Sequence, residues 1–156
     1  MDNTYRIALF GHRSFDGHSI LDTHLFELLR DLIREKDFIE IYIGRNGEFD
    51  IYAATVVKKA QRLLGNLNNE FICVLPYKNK NIEYYEEYYD SIRIFEASKC
   101  HPKGAIVKRN RWMVEICDLI ICYVEHTKGG AYSAMKYAQK LNKEVKNLAL
   151  CKRQFW

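Results

Sequence analysis

Leu119-Ile120-Ile121-Cys122-Tyr123-Val124, running into Glu125-His126-Thr127-Lys128-Gly129-Gly130-Ala131-Tyr132-Ser133, sets the architecture of this chain. The first six residues are an unbroken apolar run with no period-two alternation, the pattern of a strand buried on both faces. Paired glycines then break the run. Beyond them Ala131, Ala134, Met135, Ala138 and Leu141 recur at helical spacing, which predicts an amphipathic helix. A buried strand joined to a helix by a glycine turn is the repeating unit of a parallel sheet.

The same unit recurs upstream. Tyr5–Phe10 is a short apolar run that stops at Gly11, followed by Leu21, Leu25, Leu28, Leu29, Leu32 and Ile33 at helical spacing. Ile39–Ile43 ends at Gly44 and precedes a helix marked by Ile51, Ala53, Ala54, Val57, Ala60 and Leu64. Phe71–Leu75 is stopped by Pro76. Residues 81–90 read as a helix, 91–95 as a short strand, 105–117 as a helix and 145–150 as the last strand. The expected fold is α/β and Rossmann-like, a mainly parallel sheet with helices on both faces, in a single domain over residues 1–156. In such sheets ligands bind at the carboxyl ends of the strands.

Composition agrees with a globular domain: 156 residues, 48% hydrophobic, 28% charged, with no repeat or low-complexity tract. The five cysteines, Cys73, Cys100, Cys117, Cys122 and Cys151, form no CxxC pair, so free thiols are expected. The first residues carry no leader pattern, and no run approaches the ~20 apolar residues of a membrane span. A cytoplasmic protein without membrane contact is expected. Net charge is +4, but residues 97–114 hold five cations (Lys99, Lys103, Lys108, Arg109, Arg111) and no acid. That is either a solvated face or a local field for an anion.

Four loops follow strands, at Gly11-His12-Arg13, at Gly44 to Asp50, after Pro76 and at Glu125 to Gly130; three of them, and one helical arginine, admit two readings each. Gly11-His12-Arg13 is either a turn whose arginine pairs locally or a loop whose guanidinium grips phosphate. In Gly44-Arg45-Asn46-Gly47-Glu48-Phe49-Asp50, Asp50 is placed to N-cap the next helix. The glycines could equally offer N–H groups to an anion. The spacing matches neither GxGxxG nor a Walker loop. Gly129-Gly130 with Ser133 in the first helical turn, next to Lys128, is either a left-handed turn or an anion nest. Arg109 shares a helical face with the apolar Trp112, Met113 and Ile116. A cation there, near the helix start, calls for a bound anion or an internal carboxylate.

Taken together, Gly11-His12-Arg13, the Gly47–Ala54 stretch, Arg109-Asn110-Arg111-Trp112-Met113 with Cys117-Asp118, and Gly129-Gly130 with Ser133 resemble the SLOG superfamily over roughly residues 5–148. The likeness is nearest to its small YpsA-like members. That superfamily includes the Lonely Guy phosphoribohydrolases and the DNA-processing protein DprA. The resemblance implies a Rossmann-like fold and a nucleotide-derived ligand held at Gly129-Gly130 and Ser133, with Arg13 and Arg109 neutralising charge and Asn110 and Asp50 orienting sugar or base. In the phosphoribohydrolase pattern the loop Pro and third Gly become Lys128 and Tyr132, and the glutamate that helps cleave the N-glycosidic bond falls on Lys136. Lysine cannot stabilise an oxocarbenium-like centre, so Glu48, Asp50 and Glu125 are the substitute acids to consider.

The expected function is therefore binding or sensing of a nucleotide or nucleotide-derived small molecule through Gly11, His12, Arg13, Gly44, Gly47, Asp50, Arg109, Asn110, Lys128, Gly129, Gly130 and Ser133. The alternatives are a nucleoside-monophosphate N-glycosidase and, further off, a single-strand binding module using Tyr84, Tyr85, Tyr88 and Tyr89. No cofactor, no metal and no nucleic-acid partner are expected; a homo-oligomer is compatible with the tyrosine-rich segment.

Overall fold

Alternating side chains in each strand supply two cores. In β1 (Thr4–Gly11) Ile7 and Leu9 point to one face, Ala8 and Phe10 to the other. The computed structural model describes residues 2–95 and 102–155; Lys99, Cys100 and His101 lie outside them. Six strands form one sheet: β1, β2 (Phe38–Ile43), β3 (Asn69–Leu75), β4 (Ser91–Ile94), β5 (Leu119–Tyr123) and β6 (Glu144–Asn147), in the order β4-β3-β2-β1-β5-β6. Every neighbouring pair is parallel, with Ile7 opposite Ile41 and Leu119 in the central registers.

The helices divide by face. On one face lie α1 (His18–Ile20), a π turn (Leu21–Leu25), α2 (Phe26–Glu35), α3 (Glu48–Leu64) and α4 (Ile82–Tyr88). On the other lie α5 (Pro102–Ile116) and α6 (Gly130–Lys140). A 3-10 helix, Leu148–Phe155, closes the chain. This is the Rossmann-like arrangement expected. From β1 the chain builds β2, β3 and β4 to one side, then returns across the sheet to place β5 and β6 on the other. Such a reversal opens a crevice at the carboxyl ends of the strands.

Three local expectations need correction. Helix α3 starts at Glu48 with Gly47 as its N-cap, so Asp50 is not the cap. Asp50 sits buried inside the first turn, where its Oδ2 accepts the Asn46 N–H at 2.9 Å. Helix α5 starts at Pro102, so Arg109 lies two turns in, beyond the reach of the positive end of the helix. The last strand ends at Asn147, short of Leu150. The Asn147 amide donates to the Val124 carbonyl and accepts the Val124 N–H, both at 3.0 Å. It also accepts the Ala149 N–H at 3.2 Å, and so turns the chain into the 3-10 helix.

Candidate nucleotide site

Three strand-end loops and helix α5 enclose a cavity of about 510 Å³ at the carboxyl edge of the sheet, within the usual range for small-molecule sites. The end of β1 and the loop after it contribute Gly11, His12 and Arg13; the loop after β2 contributes Gly44 and Asn46, and the first turn of α3 contributes Asp50. The loop after β5 contributes Gly129 and Gly130, and α5 contributes Arg109, Asn110 and an apolar wall of Ile106 and Val107. The guanidinium-bearing helix and the Gly-Gly turn therefore face one space.

Glycine is needed at two of these positions for different reasons. Gly129 has φ +98°, a left-handed conformation that strains any side chain. It is the N-cap of α6, and no side chain caps that helix. The Ser133 N–H bonds the Gly129 carbonyl at 3.0 Å, so the N–H groups ahead of it make up the positive end of the helix. At Gly44 a Cβ would stand 2.7 Å from Arg109 Nη1; the guanidinium lies directly over this backbone.

Arg109 is 3% exposed. Each of its nitrogens donates inside the protein: Nε to Asn110 Oδ1 at 2.9 Å, Nη1 to the Val74 carbonyl at 2.9 Å and Nη2 to Asn46 Oδ1 at 2.6 Å. Burial pulls its pKa down, opposed chiefly by the Asp50 charge. Burial pushes the Asp50 carboxyl up, opposed by the Asn46 N–H and by Arg109 and Arg45. Arg13 differs. It is exposed, and its Nε donates to the Asn46 carbonyl at 3.1 Å, which leaves the two terminal nitrogens of its fork without an acceptor among the described residues.

His12 ties the loop after β1 to the loop after β5. Its Nε2 accepts the N–H groups of Glu125 at 2.8 Å and His126 at 3.3 Å. Burial, aided by the neighbouring His126, lowers its pKa and favours the neutral acceptor form. Beyond His12 lies a second cavity of about 400 Å³, lined by Ser14, Tyr123, Glu125, His126 and Lys128. Lys128 and Glu125 thus belong to this second space and not to the first. The Glu125 carboxylate is held below its ordinary pKa, mainly by the Tyr123 hydroxyl and also by Lys152 at 3.2 Å.

The remaining predicted residues sit at the margin. Gly47 packs against the Arg13 backbone, with its Cβ position 2.5 Å from Arg13 Cα. Glu48 accepts the Phe15 N–H at 2.9 Å, and Ser133 is exposed on the first turn of α6. Of the three acids considered for catalysis, Asp50 alone lines the main cavity. The tyrosine-rich segment surrounds Arg45: the guanidinium lies 4.9 to 6.0 Å from the rings of Tyr84, Tyr85, Tyr88 and Tyr89, and Nη1 donates to the Tyr89 hydroxyl at 2.8 Å. Sequence reasoning passed over Asn46, which meets Arg13, Asp50 and Arg109 at once. Its place between two glycines was the available signal.

No family model matches the chain, and no curated protein does. Solved structures do. DNA processing protein A (DprA) from Streptococcus pneumoniae superposes with a TM-score of 0.66 at 15% identity, over 90% of this chain and 49% of that one. DNA processing protein A from Helicobacter pylori, described for its single-stranded DNA binding mode, gives 0.63 at 23% identity, over 90% of this chain and 63% of that one. The likeness is one of fold, and this chain spans only half to under two thirds of those proteins. It nonetheless corrects the expectation of no nucleic-acid partner: a protein built on this fold binds single-stranded DNA, so the fold does not exclude one. Among the described residues no helix is long and apolar enough to cross a membrane.

Proposed function

We propose that the main cavity binds a phosphate-bearing nucleotide. The phosphate would sit at the uncapped start of α6 and against the Arg13 fork, and the base against Ile106 and Val107. The observation that carries this reading is the convergence of Gly129-Gly130, Asn110 and Arg13 on one 510 Å³ cavity: oriented donors at one end, an apolar wall at the other. A nucleotide-derived small molecule, as in a sensor domain of the SLOG type, is the leading ligand. The finer likeness to YpsA-like members rests on the Arg109–Met113 block and the Gly-Gly turn, and the shared fold with DNA processing protein A supports the broader kinship. Cleavage of an N-glycosidic bond is less well supported, because Lys136 replaces the loop glutamate and Asp50 is committed to Asn46.

A single-stranded nucleic acid is the second reading. The second cavity beyond His12, with Lys128 on its wall, could take the next nucleotide of a strand, and the Helicobacter pylori neighbour binds one. Calorimetric titration with AMP, ADP-ribose and a thymidine oligonucleotide separates the two. Saturable binding of the small molecules supports a nucleotide site; binding of the oligonucleotide alone supports the strand. Arg13→Gln should weaken whichever binds by about 10- to 100-fold, the worth of a charge-assisted bond. Absence of binding to all three by folded protein would overturn the proposal. Chromatography for free base after incubation tests the hydrolase directly.

A further inference from the structure

Arg109 is the buried cation among those lining the cavity, and its geometry is that of a tether. One hydrogen bond leaves each of its nitrogens, and the three acceptors belong to three different segments: the end of β3, the loop after β2 and the neighbouring Asn110. The Asn110 amide has one oxygen and one nitrogen to present. With Oδ1 taken by Arg109, Nδ2 turns toward the start of α6, 3.7 Å from where a Cβ on Gly130 would stand. An amide turned the other way would set an oxygen against any bound anion. The Asn46 side chain is fixed in the same manner, and Asn46 in turn anchors Arg13 through its carbonyl.

We infer that Arg109 is a positioning residue: it orients the Asn110 amide nitrogen and the Asn46 loop so that the cavity offers donors to an anion, while itself making no contact with that anion. This rests on the nucleotide-phosphate reading above. It deepens that reading by dividing the two arginines, Arg13 for contact and Arg109 for orientation.

Gly44→Ala tests the division without removing charge. The new methyl would lie 2.7 Å from Arg109 Nη1, the far end of a side chain and not backbone, so the guanidinium is displaced and the fold kept. With AMP and a thymidine oligonucleotide as probes, Gly44→Ala should weaken binding about tenfold, the worth of one oriented hydrogen bond. The slope of log affinity against log salt should stay unchanged, because no contacting cation is lost. In an Asn110→Ala background the same substitution should cost little, since the orientation it disturbs is gone. Arg13→Gln, by contrast, should lower the oligonucleotide slope by about one contact. An equal tenfold loss with and without the Asn110 amide, or a slope that falls in Arg109→Met as it does in Arg13→Gln, would overturn the inference. A ligand-free readout separates it from the binding reading: the side-chain amide resonances of Asn46 and Asn110 should both shift in Gly44→Ala. If they shift while no probe binds the wild type, the nucleotide reading fails and the tether stands. If they do not move, the tether fails whatever binds.

Discussion

Substituting Gly11 by alanine should be among the most damaging single changes in the chain, although it adds one methyl group. Gly11 ends β1, beneath the first turn of α3 and at the floor of the cavity. A Cβ there would lie 2.0 Å from Phe49 Cγ, with both Cδ atoms within 2.4 Å. Carbon atoms pack best at about 3.5–4.0 Å, so the ring would have to retreat by about 1.5 Å. It has nowhere to go. Phe49 is fully buried and meets Phe15 edge-on at 5.5 Å; Phe15 meets Tyr123 in the same way at 4.9 Å. The Tyr123 ring lies so close to Gly17 that a Cβ there would be 2.5 Å away. Overpacking of this kind costs about 1–3 kcal/mol, occasionally more. With the collision at the root of a buried ring, about 3 kcal/mol is the expected loss, a large share of the ~5–15 kcal/mol that holds a domain together. Urea unfolding reads it directly: at a slope of about 2 kcal/mol/M the midpoint should fall by about 1.5 M. Phe49→Val supplies the control. Without the ring the added methyl has room, and Gly11→Ala should then cost under about 1 kcal/mol, a strong departure from additivity. A midpoint shift below about 0.3 M, or the same cost in both backgrounds, would refute the claim that Phe49 enforces glycine at this strand end.

Two further outcomes follow from the loop contacts. The folded pKa of His12 lies below its unfolded value of about 6.5, so the unfolded chain binds the extra proton first. Its contribution to stability is complete above that pH and declines as pH falls through the lowered folded value. Urea midpoints at pH 7 and pH 5 should therefore converge in His12→Gln relative to wild type; an unchanged gap would discount the His12 bridge to Glu125 and His126. Asn147→Ala removes a side chain that pairs with both backbone groups of Val124 and should cost about 2 kcal/mol by denaturant unfolding. Asn147→Asp, which keeps the acceptor and loses the donors, should recover part of that loss.

The central strands were legible because they are buried on both faces. An unbroken run such as Leu119–Val124 cannot be mistaken for an amphipathic element, and Gly11, Gly44 and Pro76 mark where other runs stop. Boundaries set by a distant side chain were not legible. The final strand continues in apolar residues as far as Leu150, and only the Asn147 amide closing on Val124, 23 residues away, ends it. Helix α3 likewise starts earlier than its apolar pattern suggests, because the Glu48 N–H reaches back to the Arg13 carbonyl at 2.9 Å.

The site shows the same division more sharply. Glycines at strand ends and an arginine on an apolar stripe are local signals, and they brought Gly11, Gly44, Arg109 and Gly129-Gly130 to one cavity. What a local signal cannot say is whom a buried cation satisfies. The need for a partner to Arg109 follows from the cost of burying charge, and either an anion or a carboxylate would meet it. The protein meets much of it with neutral oxygens, on Val74 and Asn46 at 35 and 63 residues' separation, leaving Asp50 as a Coulombic neighbour. The tyrosines divide in the same way: Arg45, 44 residues before Tyr89, bonds its hydroxyl, and Tyr85 and Tyr89 are buried while Tyr84 stays exposed. On the proposed division, a charge confined by internal acceptors sets the shape of the pocket, and a charge left with open donors sets what enters it. Composition counts the two alike, and only the partners of each nitrogen tell Arg109 from Arg13.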